Sequence, residues 1–187
     1  MLDLVKQETE RIDSRFLEPA CGSGNFLVPV LQRKLQVVEK RYKSSEFERV
    51  HHALLGLMCI YGVELLADNA AECRLNLLQV FQDDLKLDQT SLALVAAQEV
   101  LEANIVQGDA LSLKDHEGEP IVFAEWSYLG KGRFNRRDFK YDELLQMSSF
   151  GEGTLFAAMK PDEIFAPVRD YPAMKIEDIA NNVPPSS

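Results

Sequence analysis

The chain has 187 residues, 46% of them hydrophobic and 27% charged, the composition of one globular domain able to bury a core without staples. Its net charge of −10 argues against a self-sufficient nucleic-acid binder, because affinity for phosphates comes from Lys and Arg. Cys21, Cys59 and Cys73 are scattered, no apolar run reaches the roughly 20 residues of a membrane span, and the charged start is unlike a secretory signal. A reducing cytoplasm is therefore expected, with neither a disulfide framework nor a membrane anchor. The cysteines, His51, His52 and His116 lack zinc-ligand spacing, so no metal is expected.

Residues 1–13 carry Leu2, Leu4, Val5 and Ile12 as a partial apolar stripe, which predicts a helix. A strand is predicted at 15–17. The stretch Glu18-Pro19-Ala20-Cys21-Gly22-Ser23-Gly24-Asn25-Phe26 follows, a small-residue turn with two glycines. The next helix is predicted over 25–42, with Phe26, Leu27, Val30, Leu31, Leu35 and Val38 at helical spacing and Pro29 tolerated in its first turn. Strand, tight loop and helix N-terminus in that order build a nucleotide-binding crevice at the carboxyl end of a strand. The helix start offers unpaired N–H groups and a favourable dipole to an anion. The spacing is neither the G-x-G-x-x-G dinucleotide fingerprint nor a P-loop.

A second helix is predicted over 46–59; its adjacent His51 and His52 point in different directions and suit packing or surface roles. Residues 59–68 read as a buried parallel strand ending at Glu64, followed by a helix over 68–80. A carboxylate at the end of the second strand can accept hydrogen bonds from both hydroxyls of a ribose. A helix over 90–103 leads to a third strand and turn over 104–111, with Asp109 at its end.

The segment 18–26 closely resembles the first motif of S-adenosylmethionine-dependent N6-adenine DNA methyltransferases, as in the modification subunits of type I restriction systems. Gly62-Val63-Glu64-Leu65 resembles that family's Gly-Ile-Glu-Leu motif, and Gly108-Asp109-Ala110-Leu111 its Gly-Asp-Ala-Leu motif. The resemblance covers about 14–112. It implies S-adenosylmethionine as cofactor, held by Glu18, Pro19, Ala20, Gly22, Ser23, Gly24, Asn25 and Phe26. Glu64 would take the ribose and Leu65 would pack on the adenine. Asp109 and Ala110 would meet the adenine amino group and ring. The family's upstream Phe-Thr-Pro type segment is absent, which implies a chain that starts late or has been truncated.

The family's Asn/Asp/Ser-Pro-Pro-Tyr/Phe catalytic motif, which holds the flipped base for attack on the methyl sulfonium, is missing. Asn182-Val183-Pro184-Pro185 is interrupted and lies in a polar tail read as disordered. Residues 120–129 read as a short strand running into a turn, where Trp126 and Tyr128 are candidates for base stacking or for the core. The catalytic residues are unknown, with Glu125 and Tyr128 as possible substitutes. Lys131, Arg133, Arg136, Arg137 and Lys140 form the one candidate phosphate-facing patch, with a solvated basic loop or a contact to an acidic partner as the alternative. A short helix is expected over 141–147 and an irregular arm beyond it.

The expected fold is a doubly wound, Rossmann-like α/β domain of the class I methyltransferase kind over 1–125, with a basic loop and C-terminal arm over 126–187. The expected function is N6-adenine DNA methylation, or its cofactor-binding part, with a restriction-modification partner chain helping to engage DNA. The alternatives are a degenerate, non-catalytic module of such a complex and a methyltransferase acting on protein or a small molecule.

Overall fold

The computed structural model describes residues 10–143 and 166–184. The chain is a mixed α/β fold around a mainly parallel four-stranded sheet. Its elements are β1 (Phe16–Glu18), α1 (Leu27–Tyr42), α2 (Glu46–Met58), β2 (Ile60–Glu64), α3 (Ala67–Leu85), α4 (Leu92–Asn104) and β3 (Ile105–Asp109). Then follow β4 (Lys114–Asp115), β5 (Val122–Gly130), β6 (Arg133–Lys140), β7 (Arg169–Asp170) and α5 (Ile176–Ala180).

Strands β1, β2 and β3 lie side by side in that order and all parallel, with Phe16 opposite Ile60 and Gly62 opposite Ile105. Two helices fill each crossover, so the gap between the first two motifs is long because α1 and α2 both fit between their strands. Helix α1 buries Leu27, Val30, Leu31, Leu35 and Val38, the stripe its periodicity predicts. Each such side chain contributes on the order of 1.5–3 kcal/mol through burial. In α2, the Ser45 side chain accepts from the Glu48 N–H and caps the start.

The two faces of β2 pack into different cores, as alternation requires. Ile60 joins the helices, while Tyr61 and Val63 meet Ile121, Phe123 and Tyr141. The short β4 pairs antiparallel with β3, and this close approach needs Gly108. A Cβ there would lie 2.6 Å from the Lys114 carbonyl oxygen.

Three expectations change. Residues 10–13 are turn and coil rather than the end of a helix, because Lys34 draws this segment's carbonyls inward. Its fully buried ammonium donates to the carbonyls of Arg11, Ile12 and Ser14 at 3.1, 2.8 and 2.6 Å. Residues 133–140 form strand β6, not a basic loop, and pair with β5 along an antiparallel hairpin. The turn Gly130-Lys131-Gly132 has positive φ throughout, and Phe134 and Phe139 are buried.

The boundary expected at 125/126 falls inside β5, and Trp126, Phe134, Tyr171, Met174 and Ile179 share one core with α1–α4. The described part of the expected arm is packed through β7 and α5 rather than irregular. Residues 144–147 of the expected helix and 185–187 of the tail lie outside the described residues, while Tyr141, Asp142 and Glu143 are helical. No helix among the described residues is long and apolar enough to cross a membrane.

Candidate functional site

The parallel arrangement of β1, β2 and β3 brings Glu18, Glu64 and Asp109 to the carboxyl ends of three neighbouring strands. The glycine loop rises from β1 at the same end and turns into α1. Its geometry depends on glycine where φ is positive, at Gly22 (52°) and Gly24 (94°). The Gly24 N–H closes a turn on the Cys21 carbonyl at 2.9 Å, and the Val28 N–H returns to the Gly24 carbonyl at 2.9 Å to begin the helix. Above Gly22 there is open space where a side chain would stand. Phe26, the residue before α1, makes no side-chain cap bond, so its N-terminal turn keeps the partial positive charge of uncapped donors.

The loop is tied to the end of β2. The Gly22 N–H donates to Glu64 Oε2 at 2.9 Å, and the Cys21 N–H to the Val63 carbonyl at 3.0 Å. Glu64 Oε1 accepts from the Leu66 N–H at 3.1 Å and the Asn69 amide at 3.4 Å. A carboxylate has about four lone-pair sites, so one remains for a hydroxyl. Desolvation opposes the charge of Glu64, yet the donors of Leu66, Gly22 and Asn69 outweigh it and hold its pKa below the usual 4.5.

A carboxylate with a depressed pKa contributes stability that is present above its unfolded pKa and lost as pH falls through the folded one. The stability advantage of the native chain over Glu64→Gln should therefore be constant near neutrality and shrink below about pH 4.5. Chemical unfolding of both proteins across that range measures it. A difference that grows on acidification contradicts the assignment.

Asp109 anchors its own turn. Oδ1 accepts from the Leu111 N–H and Oδ2 from the Ser112 hydroxyl, both at 2.9 Å, and these bonds keep its pKa low. Around these carboxylates stand unusually bare apolar side chains, with Leu65 65%, Leu66 55% and Leu111 96% exposed. Ala110 lies between Asp109 and Leu111, half-buried. Pro19, Ala20 and Asn25 are exposed, while Glu18, Ser23 and Phe26 are half-buried. On its α3 side the loop borders an open cleft of about 430 Å³ lined by Ser23, Gly24, Asn25, Pro29, Asn76 and Gln79.

Helix α3 contributes residues not anticipated from the sequence. Asn69 bonds Glu64, Cys73 lies against Gly24, and Asn76 donates to the Ser23 carbonyl at 3.0 Å. Their i, i+4, i+7 spacing puts all three on one helix face, and that spacing is the signal that could have found them.

The basic stretch divides. Arg137 Nη2 meets Glu125 Oε2 at 2.8 Å, and Arg15 takes the other oxygen at the same distance. Arg136 bonds buried Asp138 at 2.7 Å and stacks over Trp126 and Tyr171. These arginines are spent on internal carboxylates, which corrects their place in a phosphate-facing patch. Lys131 and Arg133 are exposed at the hairpin tip and Lys140 is half-buried.

Trp126 is buried and donates from Nε1 to Asn104 Oδ1 at 3.1 Å. Tyr128 packs against Phe134 and His52, and its hydroxyl accepts from the Gly132 N–H. Both aromatics, and the ion-paired Glu125, serve the hairpin rather than an open base-stacking surface. His51 and His52 pack in the same aromatic cluster. No group of three or more His, Cys, Asp or Glu among the described residues could hold a metal ion. Comparison of the chain with family models, curated proteins and solved structures gives no match.

Proposed function

We propose that this chain is the cofactor-binding part of an N6-adenine DNA methyltransferase, with a class I, Rossmann-like core that holds S-adenosylmethionine over the carboxyl ends of β1, β2 and β3. The observation that carries this reading is the bond from the Gly22 N–H to Glu64. It joins the glycine loop to the second-strand carboxylate, so the loop amides and a ribose acceptor form one wall. Glu64 receives the ribose hydroxyls, and Leu65 and Ala110 flank the adenine. Asp109 accepts from the adenine amino group, and the start of α1 faces the cofactor's carboxylate.

Ligands of open α/β sheets bind where the winding direction reverses. Among the described residues β1 has a neighbour on one side only. The reacting wall of the crevice, the catalytic residues and most contacts to DNA then come from a partner chain of a restriction-modification system. The same observation favours a second reading, a non-catalytic module that scaffolds such a complex. A sequence without the Asn-Pro-Pro-Tyr/Phe motif suits it too.

Asp109→Ala tests the cofactor reading, because the side chain is exposed and its loss leaves the core untouched. S-adenosylmethionine affinity should fall at least about tenfold, the cost of one charge-assisted hydrogen bond, with an unchanged circular dichroism spectrum. Undiminished affinity in the variant removes Asp109 from the site.

A further inference from the structure

Two of the three cysteines meet beneath the glycine loop. Cys21 belongs to the loop and Cys73 to α3; both are buried thiols, and their side chains share a hydrogen bond. Both glycines beside them make room for sulfur. A Cβ at Gly62 would stand 2.8 Å from Cys21 Sγ, and one at Gly24 would stand 3.1 Å from Cys73 Sγ. Cys59 lies elsewhere, with its thiol directed at the Asp13 carbonyl at 3.5 Å.

We propose that Cys21 and Cys73 form a redox modification site, a reversible intrachain disulfide that fastens the glycine loop to α3 when the chain meets a peroxide. The two thiols are unequal. The hydrogen bond from Cys21 and the neighbouring Arg74 favour the Cys73 thiolate, while the same bond and burial hold Cys21 protonated. Cys73 is therefore the sulfur oxidised first. Its thiolate attacks the peroxide O–O bond, giving a sulfenic acid and releasing hydroxide. Cys21 sulfur then attacks the sulfenic sulfur; the S–S bond forms as the S–O bond breaks, and the leaving hydroxide and the Cys21 proton depart as water. In total two thiols are oxidised and one hydrogen peroxide is reduced to two waters.

Access is through the loop. Pro19 and Ala20 beside Cys21 are exposed, and Gly22 has open space above it, so a small oxidant needs only a local opening. A disulfide brings the sulfurs to about 2.05 Å, which draws the loop toward α3 and restrains residues on both sides of Gly22. Transient disulfides of this kind are the ones found in reducing compartments.

The test is oxidation of the purified chain with a small excess of hydrogen peroxide, alkylation without reductant, peptide mass mapping and thermal unfolding. A linked peptide pair holding Cys21 and Cys73 is expected, lighter by two hydrogens and reversed by dithiothreitol. The melting temperature should rise by several degrees, as cross-linking a long loop does. Cys59→Ser should retain the link and the rise, and Cys73→Ser should lose both. Oxidation that yields only sulfinic acid, links between chains or a bond to Cys59 overturns the proposal, and the mapping of the native chain decides this even if Cys73→Ser folds poorly.

Discussion

Glu64→Ala should weaken S-adenosylmethionine binding by about 100-fold or more while leaving the chain folded. Its carboxylate is the acceptor expected for both ribose hydroxyls, and hydrogen bonds to a charged group are each worth roughly 1.5–3 kcal/mol. The same carboxylate anchors Gly22 at 2.9 Å and Leu66 at 3.1 Å, so its removal also frees the loop and adds an ordering cost to binding. Glu64→Gln separates the two effects. It keeps an oxygen acceptor but loses the charge, and should fall between the native chain and Glu64→Ala. Parallel titrations of the three proteins measure it; near-native affinity in Glu64→Ala would remove the residue from the site.

Lys34→Met should be the most damaging single substitution to stability, at about 3 kcal/mol or more. The ammonium is buried and satisfied by three carbonyls, of Arg11, Ile12 and Ser14, and Phe16 of β1 lies 5.3 Å from it. Methionine preserves most of the packing, so the loss isolates the polar part. Each carbonyl left buried without a partner costs roughly 1–3 kcal/mol, and removing one side of a buried charged network costs about 3–5 kcal/mol. With 5–15 kcal/mol typical of a whole domain, urea unfolding will resolve the change easily. Lys40→Met on the exposed face of the same helix should stay within about 0.5 kcal/mol. Equal, small effects in both variants would mean that the Arg11–Ser14 segment is not held as described.

These two residues differ in how readable they are. Glu64 was legible because it ends an apolar run and lies between two other motifs in a fixed order. Lys34 was not, because a lysine within an amphipathic helix normally faces solvent; only the tertiary path of residues 11–14 brings three carbonyls to it. The helices α1 to α4 and strands β1 to β3 followed from periodicity within one to a few residues, except α3, which runs to Leu85 rather than 80. The hairpin was half seen. A run with Trp126 and Tyr128 suggested a strand, but the charges from Arg133 to Lys140 masked its partner. The bonds that neutralise those charges, Arg137 to Glu125 and Arg136 to Asp138, cross strands or fold back locally and leave no mark in composition. The two-residue β4 is too short for any period to reveal. The contacts from α3 to the loop needed the fold to connect positions far apart in sequence.

The most direct measurement is a calorimetric titration of the intact chain with S-adenosylmethionine. The proposed reading predicts saturable binding with one site per chain, and with it a crevice that lacks only its reacting half. A folded sample that takes up no cofactor would contradict that reading, and the non-catalytic module would then be the better account of the chain.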